Sequence, residues 1–556
     1  MKCSLWGVVL ATAALLMASP VRAGVIMDAT LDRPTEGIVL LGSQVPGLFD
    51  TPIADEDIYV FAYRDHDWIQ LPADVVEKTW NAHPDTNTYI YGRGDGYFDS
   101  DDEIVFMAED LGDQVNDNAW PDGVDAYRYE VEVTDPLSPS RRGWAYIYTS
   151  STLTPVITDY VNYSGSTTNI IDTWGYSIDY GDNRKRHIMS DLKIKPVGGG
   201  DNTDFIDRMK SRIEVQLWPL PPFYLTENDM DADLFGVYQD GQVRVTLQYF
   251  VTAFTGQSNY RLLLHFYRAH LTCESWLSTV SPPFTDILGV RSTFDYTSGH
   301  TYEQWNNGGA SGNHFVINGT MSGDVPGSSP CATWWLTSSQ TKGAHMLCQD
   351  MTGVPGGDDL RLYYSDTNGP DPWTDSGADN REWGHSGVVI DTPPADEGAF
   401  DTWTYFLRAG TGFGGDGFDV GEQYFGYYEK PLQAGNGTLQ QAGDPPYTIT
   451  VMPVNSPIVI PSGGGSFQYE ARLENLTGSP QPIVAWTEAT LPSGYHYGPI
   501  LGPMPLTLPP GGIGPVTLTQ AVPPSAPAGS YQFSGFLGAS YPSEADQDGF
   551  SFEKLP

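Results

Sequence analysis

Basic residues are scarce in this sequence. Its 556 residues include 28 Lys and Arg against 69 Asp and Glu, which gives a formal net charge of −41 at pH 7. Nucleic acids and anionic membrane surfaces are bound through clustered Lys and Arg. The composition therefore excludes nucleic acid as a partner. The acidic residues are spread along the chain, an arrangement that also serves solubility.

Long apolar runs are lacking after the first residues. Leu5 to Met17 forms one uncharged apolar run after Lys2, and Val21-Arg22-Ala23 places small residues where a signal peptidase reads them. The run is shorter than the about 20 residues that span a bilayer. We therefore predict a signal peptide over residues 1–23, and a secreted or cell-surface product without a transmembrane segment.

Cysteine is also rare. Of the four cysteines, Cys273, Cys331 and Cys348 follow the predicted cleavage site. An oxidising compartment permits a disulfide, and a predicted hairpin of Trp334–Thr337 with His345–Leu347 favours the pair Cys331–Cys348. Such a bridge would contribute about 3 kcal/mol.

Sequence motifs of several enzyme classes are absent. The chain contains no GxSxG, HExxH, Walker or CxxC motif. These motifs supply the nucleophile, the zinc ligands, the phosphate loop or the redox thiols of their classes. A serine hydrolase, a zincin protease and a nucleotide-dependent enzyme therefore have no support.

Helical periodicity is limited to two short predicted turns, Asp74–Thr79 and Asp204–Ser211. Elsewhere, short β-branched and aromatic runs alternate with Gly, Pro, Asn and Asp, which is typical of β-sandwiches. Aromatic residues make up 13% of the chain, which argues against disorder. Outside the C-terminal region, the predicted strands are Ile58–Tyr63, Glu103–Met107, Tyr127–Val133, Gly143–Tyr148, Val243–Phe250, Arg261–His270, Thr333–Leu336, Ala344–Cys348, Arg361–Tyr364 and Thr402–Arg408.

Composition suggests an all-β protein of several β-sandwich domains. We predict an N-terminal β domain with an acidic loop (24–149), a large central sandwich (150–435) and a Gly/Gln/Asp/Pro linker (436–446). Seven strand-like runs over residues 447–556 have the rhythm of an immunoglobulin-like sandwich. The Cys…Trp…Cys spacing of antibody domains is missing there.

Two segments resemble known exported proteins. The stretch from Asp101 to Asp113, DDEIVFMAEDLGD, resembles a recurrent stretch of uncharacterised exported bacterial proteins. The stretches Ile458–Phe467 and Tyr497–Pro503 are similar to immunoglobulin-like modules of large secreted bacterial proteins. The resemblance implies an exported location and a sandwich fold, and it brings no catalytic residue with it.

A calcium loop is predicted in the segment from Asp95 to Glu103, DGYFDSDDE. Calcium takes six to eight oxygen ligands, which a Gly-turned loop dense in carboxylates supplies. Asp95, Asp99 and Asp101 are the predicted ligands, because Tyr91 and Arg93 occupy the first half of the pattern. The alternative is a solvated acidic turn.

Reactive side chains gather in the middle region. Strand alternation places His265 and Tyr267 on one face, with Arg268 on the other. A His and a Tyr can serve as base and acid next to a uronate carboxylate, which an Arg neutralises. Packing partners in a strand are the alternative.

A second cluster combines acids with aromatic rings. Asp379 and Glu382 are candidates for a glycosidase carboxylate pair. Aromatic faces stack on sugar rings, which makes a ligand-binding set of Trp373, Trp383, His385 and Trp403. The alternative is that most of these rings fill the sandwich core.

Three functions remain open at this level. The first is a secreted or surface protein that binds or processes extracellular carbohydrate. The second is a self-assembling surface, adhesin or filament protein, whose partners are other copies of itself. The third is a polysaccharide lyase or glycosidase. Sandwich folds host all three.

Overall fold

The computed structural model describes residues 25–556 with gaps. The gaps are 54–56, 66, 82–87, 93, 116–119, 166–168, 182–187, 253–258, 279–284, 309–312, 323–331, 351–359, 367–382, 391–397, 408–416, 442–446, 477–479 and 543. The predicted signal peptide therefore lies outside the described residues.

Strands account for most of the described chain. The N-terminal strands are β1 (Val25–Met27), β2 (Gly37–Leu41), β3 (Ile58–Arg64), β4 (Asp67–Gln70), β5 (Asp74–Val76), β6 (Lys78–Asn81), β7 (Thr88–Tyr91), β8 (Glu103–Met107), β9 (Gln114–Val115), β10 (Tyr127–Asp135) and β11 (Ser138–Thr149). The middle strands are β12 (Val161–Ser164), β13 (Ile170–Thr173), β14 (Tyr176–Asp179), β15 (Asp191–Ile194), β16 (Ile206–Leu217), β17 (Phe223–Thr226), β18 (Asp231–Asp240), β19 (Val245–Thr252), β20 (Asn259–Phe266), β21 (His270–Ser278), β22 (Thr285–Tyr296), β23 (Tyr302–Asn306), β24 (Asn313–Ile317), β25 (Met321–Ser322), β26 (Ala332–Ser339), β27 (Gly343–Asp350), β28 (Leu360–Asp366), β29 (His385–Ile390) and β30 (Gly398–Leu407). The last strands are β31 (Gln433–Ala434), β32 (Thr438–Gln441), β33 (Tyr447–Pro453), β34 (Val459–Ile460), β35 (Gly465–Asn475), β36 (Gln481–Thr490), β37 (His496–Leu508), β38 (Ile513–Val522), β39 (Gly529–Gly538) and β40 (Asp546–Lys554).

Helices are few among the described residues. The α-helix α1 covers Gly417–Glu429, and the short 3-10 turns are Gly42–Gln44, Pro46–Leu48, Ala108–Asp110, Pro196–Gly198 and Glu227–Asp229. The all-β prediction is confirmed. Within the described part of the chain, no helix has the length and apolarity needed to cross a membrane.

The N-terminal region is built on a sheet in the order β31-β10-β11-β3-β4, with β32 also paired to β10. A three-stranded sheet, β2-β8-β5, shares an apolar core with it, through residues such as Leu40, Ile104, Val131 and Ile147. Two strands of this sheet, β31 and β32, come from the far end of the middle region. The N-terminal region is therefore completed by a segment about 300 residues later in the chain.

The middle region contains a nine-stranded sheet, β18-β19-β20-β21-β30-β27-β26-β23-β24, and a six-stranded sheet, β17-β16-β22-β29-β28-β25. Their inner faces meet in the largest core, which also takes in the sheet β12-β13-β14-β15. Along β20, Leu262, Leu264 and Phe266 face this core. Leu263 packs on the opposite side, against N-terminal residues such as Val105. The nine-stranded sheet is therefore buried on both faces at β20.

The C-terminal region is a two-sheet sandwich. Sheets β33-β35-β38 and β34-β40-β39-β36-β37 enclose one core that includes Ile449, Tyr469, Phe533 and Phe552. All seven strand-like runs predicted over 447–556 are strands.

Two local predictions are wrong. The segments predicted as helical turns, Asp74–Thr79 and Asp204–Ser211, contribute to strands β5, β6 and β16 instead. Strand β16 pairs with β22 about 80 residues later and β5 pairs with β8, whereas β6 pairs with the neighbouring β7. Sheet pairing therefore overrides a weak local helical propensity. The predicted linker 436–446 also contains a strand, β32, which pairs with β10.

Helix α1 has no counterpart among the elements predicted from the sequence. Its glycines allow close approach to two indoles: a Cβ on Gly421 would lie 2.2 Å from the Trp334 ring, and one on Gly417 would lie 2.4 Å from Trp305. Glu422 accepts a hydrogen bond from Trp334 Nε1 at 2.9 Å. The helix therefore forms by packing on the nine-stranded sheet.

Candidate functional site

The predicted His265 and Tyr267 pair lies where the nine-stranded sheet packs on the N-terminal region. Both side chains are buried, and they share one face of the sheet, as strand alternation predicted. His265 Nδ1 lies 3.0 Å from Thr246 Oγ1, and the Tyr267 ring stacks on His270 at 4.5 Å. These contacts are those of packed interior side chains.

A buried ion cluster surrounds this pair. Glu103 of β8 accepts from Lys78 Nζ at 2.8 Å and from Arg244 Nη2 at 2.5 Å. Burial on its own raises the pKa of Glu103, but the two cations outweigh it and lower that pKa to about 2. Burial, then Arg244, lowers the pKa of His265 to about 3. The cluster holds fixed charges across the contact between the two regions.

This setting corrects the predicted acid–base role. A general base works best with a pKa near the operating pH and within reach of substrate, whereas His265 is buried and its pKa is far below neutrality. Arg268 pairs with Glu109 and lies 3.8 Å over the Trp174 ring. All three predicted residues act as structural contacts in this arrangement.

The predicted aromatic set does not form an exposed groove. Trp383 is a core residue whose Nε1 donates to the His300 carbonyl at 2.8 Å, and His385 is fully buried against Thr293. Both side chains lie between sheets, and this position does not support the predicted sugar-binding role. The backbone of Trp403 belongs to β30, and its side chain is outside the described set. Other predicted residues lie outside the described ranges, namely Trp373, Asp379 and Glu382.

The acidic loop is closed by its own carboxylates. Asp95 Oδ1 accepts from Tyr97 N at 3.0 Å, and Asp99 Oδ1 accepts from Asp101 N at 3.0 Å. Asp102 caps the loop further, accepting from Asp99 N at 2.8 Å and from Lys78 N at 2.7 Å. Among the described residues, no three His, Cys, Asp or Glu side chains converge as metal ligands. The geometry does not fit a complete calcium cage, and calcium binding stays a prediction.

Chelation separates the two interpretations of this loop. A structural calcium ion stabilises the folded state by mass action, so EDTA would lower the melting temperature by several degrees if Asp95, Asp99 and Asp101 hold one. A loop held by the hydrogen bonds above would melt unchanged, and calorimetry with and without EDTA measures the difference. An Asp99→Asn variant that loses any EDTA effect would locate the ion here.

The predicted hairpin around the cysteines is confirmed as β26 and β27, whereas the bridge is not formed. Cys348 is a buried free thiol. Its cross-strand partner is Trp334, three residues beyond Cys331, and a disulfide needs Cα atoms within about 7 Å. Cys331 itself lies outside the described residues.

A surface depression lies on the outer face of the C-terminal five-stranded sheet. It has a volume of about 410 Å³. Strands β36, β37, β39 and β40 supply its lining, which consists of Glu488, Thr490, His496, Gln532, Ser534, Phe536, Gln547, Asp548 and Gly549. Strand alternation explains which residues of β39 line the depression. Tyr531, Phe533 and Leu537 point into the core, so Gln532, Ser534 and Phe536 lie on the outer face.

Strand pairing aligns the lining side chains in rows. Glu488, Ser534 and Gly549 form one row across three strands, with Ser534 in the middle. Because Gly549 has no side chain, the surface is recessed at its end of the row. In the next row, Gln532 accepts from Ser551 Oγ at 2.9 Å. Hydroxyl, amide and carboxylate groups therefore share one open face.

An aromatic wall borders these polar rows. Phe536 stacks on Trp486 with ring centroids 5.4 Å apart and planes 8° apart. Tyr541 meets the same indole edge-on at 5.4 Å and is 39% exposed. This site was not predicted from the sequence. The alternation of Gln532, Ser534 and Phe536 indicates that these residues share one face of β39, but long-range pairing determines which strands lie beside β39.

The chain matches no family model and no curated protein. The solved structures that are similar to it include three with the following features. They are a polysaccharide lyase (9% identity, TM-score 0.26, covering 70% of this chain and 47% of the lyase), the α-2-macroglobulin of E. coli (8%, 0.15, 90% and 46%) and a mutant α-2-macroglobulin of Salmonella (10%, 0.15, 90% and 52%). The chain spans about half the length of these proteins. Similarities at this level carry no argument about a shared site.

Proposed function

We propose that this chain is an exported, multidomain β-sandwich protein that binds extracellular carbohydrate through the depression on its C-terminal sandwich. The signal-peptide pattern at residues 1–23 and the resemblance to exported bacterial proteins support export. The observation that carries the proposal is the lining of the depression, which sets hydroxyl, amide and carboxylate groups beside an aromatic ring.

Sugar recognition needs both parts of that lining. Carboxylates and amides bond sugar hydroxyls, and ring faces pack on the apolar C–H faces of the sugar. Glu488 and Gln532 supply the first kind of group. The aromatic wall supplies the second, because Phe536 is 9% exposed and Tyr541, on the same Trp486 indole, is 39% exposed. The hydrogen bond between Thr490 Oγ1 and His496 Nδ1, at 3.2 Å, positions the rim before a ligand arrives.

The charge of the site favours a neutral sugar. Its lining contains no Lys or Arg and includes the carboxylate of Glu488, on a chain of net charge −41. A polyuronate or sulfated glycan would be repelled by this field. Neutral hexose or pentose polymers meet no such barrier.

Two single substitutions test the site. We expect Gln532→Ala and Glu488→Gln each to weaken binding about tenfold, because each removes a hydrogen bond worth about 1–2 kcal/mol. A glycan array of neutral and uronate-rich polysaccharides selects the probe, and calorimetry on the strongest neutral binder measures the affinity.

Gln468→Ala is the matched control, since Gln468 is exposed on the outer face of the opposite sheet. Equal losses in Gln532→Ala and Gln468→Ala would remove the depression from the proposal. Absence of binding to every neutral glycan would end the proposal itself. Retained melting temperatures show that the variants are folded.

Catalysis is not part of this proposal. The buried positions of His265 and Tyr267 do not support a lyase, and the predicted glycosidase acids Asp379 and Glu382 lie outside the described residues. A reducing-sugar assay on the glycan selected above tests for hydrolysis directly.

A further inference from the structure

One long segment of this acidic chain has no charge at all. Residues 489 to 543 contain no Asp, Glu, Lys or Arg, although these four residue types make up 17% of the sequence. The same segment builds β37, β38 and β39. The uncharged stretch is therefore a feature of the C-terminal sandwich and of its surface.

Two of these strands are edges. β37 ends the five-stranded sheet and β38 ends the three-stranded sheet. Both are exposed along most of their length. Large apolar side chains project from them, with Tyr497 at 59%, Met504 at 47% and Val516 at 45% exposure. Open edges of this kind present unpaired N–H and C=O groups to other strands.

The two edges differ in their capacity to pair. β37 contains Pro499, Pro503 and Pro505, and proline lacks the N–H that a ladder needs. β38 has Pro515 near its start and then runs through Val516–Val522 without Pro or Gly. Such an uncharged, β-prone run is well suited to strand pairing. β38 is therefore the open edge.

The opposite edge of the same sheet is blocked. On β33, Ile449 N donates to Asp546 Oδ2 and Val451 N donates to Asp548 Oδ2, each at 2.7 Å. These carboxylates occupy donors that a neighbouring strand would need. The three-stranded sheet is thus closed by acidic side chains on one side and left uncharged on the other.

We propose that β38 pairs with β38 of a second copy of this chain. Antiparallel pairing about a two-fold axis at Thr519, the centre of Val516–Val522, would join two three-stranded sheets into one of six strands, with every other pair of facing residues repeated on both sides of the axis. This inference is independent of the carbohydrate site, and it assigns a contact to the self-association that the sequence left open.

Charge restricts a second copy to an uncharged edge such as β38. Two chains of net charge −41 repel each other across their acidic surfaces, so contact requires a patch without charge. Strand β35 beside β38 carries Glu470, which lies opposite Thr517, and the ion pair of Arg472 with Glu474. In the pair, the two β35 strands would be three strand spacings apart, about 14 Å. That distance exceeds the Debye length of about 8 Å at physiological salt.

Sedimentation velocity of the mature chain over a concentration series tests the proposal. We expect a monomer–dimer equilibrium that strengthens from about 0.02 M to about 0.5 M NaCl, because salt screens the remaining repulsion. Thr519 is exposed on β38, and both Thr519→Lys and Thr519→Glu should weaken the dimer at least about tenfold, since either charge would face its own copy.

Met452→Lys is the control, because Met452 is 55% exposed on β33, the blocked edge. It should leave the dimer intact. A monomer at every concentration and salt would overturn the proposal, as would dimer loss with only one sign of charge at Thr519. Assembly beyond the dimer would also overturn it, because two-fold pairing closes. Unchanged far-UV spectra and melting temperatures confirm that each variant is folded.

Discussion

Replacing Arg33 with alanine is expected to lower the free energy of unfolding by about 3–5 kcal/mol, the usual result of breaking a buried ion pair from one side. The guanidinium is fully buried and donates to Glu36 Oε1 at 2.6 Å and Asp135 Oδ1 at 2.9 Å. It also donates to the carbonyls of Lys430 and Tyr427, at 2.9 and 3.1 Å. Arg33 therefore ties the start of the chain to the end of helix α1.

The expected loss depends on pH. Burial raises the pKa of Glu36 to about 7, although Arg33 lowers it. Below that pH, Glu36 takes up a proton and no longer needs a cation, so the loss in Arg33→Ala should shrink. Urea unfolding followed by tryptophan fluorescence, at about pH 7.5 and about pH 5.5, measures both values.

Arg141→Ala is the matched control. Arg141 pairs with Asp32 at the surface, with side chains 44% and 50% exposed, and exposed pairs contribute less than about 1 kcal/mol. If Arg33→Ala lost no more stability than Arg141→Ala, the buried network would not tie the segment around Arg33 to the end of helix α1.

Strands with a strong local signal were predicted well. Glu103–Met107 has the bounds that the sequence indicated, and the seven runs predicted over 447–556 are strands. Helix α1 was missed because Gly417, Gly421 and Gly426 lower its intrinsic propensity. Its stability comes instead from packing on Trp305 and Trp334, which lie about a hundred residues earlier.

Long-range pairing explains what the sequence did not show. The N-terminal sheet includes β31 and β32 because their backbones pair with β10, and no local pattern in Gln433–Gln441 indicates that partner. Similarly, Asp74 accepts from the backbone nitrogens of Val243 and Arg244, at 3.0 and 2.8 Å. Contacts of this separation decide which strand face is covered and which is open to a ligand.

Tertiary packing also explains why the candidate site lies on β39 and not at His265 and Tyr267. Alternation correctly placed His265 and Tyr267 on one face, but that face is covered by the N-terminal region. On β39, the alternation of Gln532 and Ser534 leaves an open face, because the outer side of that sheet carries the depression. Periodicity fixes which residues share a face, and tertiary packing decides whether a ligand can reach it.

Acidification is expected to reveal the burial of His265. Burial, then Arg244, lowers its pKa from 6.5 to about 3, so the imidazole is neutral in the folded state and charged in the unfolded state over that range. The unfolded chain therefore binds more protons, and stability is full above pH 6.5 and lost as the pH falls. At 1.36 kcal/mol per unit, this residue alone costs about 3 kcal/mol at pH 4.

His265→Gln removes this titration while keeping a polar group near Thr246. At about pH 7 we expect the variant to be less stable by about 1–2 kcal/mol, the value of a disturbed buried hydrogen bond. Because only the wild type loses the His265 contribution on acidification, the difference should reverse by about pH 4. Urea unfolding of both proteins at each pH measures this difference in the free energy of unfolding. Subtracting the variant's value from the wild type's cancels the contribution of other titrating groups such as Asp295, whose pKa burial raises to about 8.

His314→Gln serves as the control, since the His314 side chain is 50% exposed. We expect its stability to stay within about 0.5 kcal/mol of the wild type at both pH values, because substitutions at exposed positions usually change stability by no more than that. A constant difference for His265→Gln as well would mean that water reaches His265 in the folded protein. In that case the contact between the N-terminal region and the nine-stranded sheet would be open, and an acid–base role for His265 and Tyr267 would return.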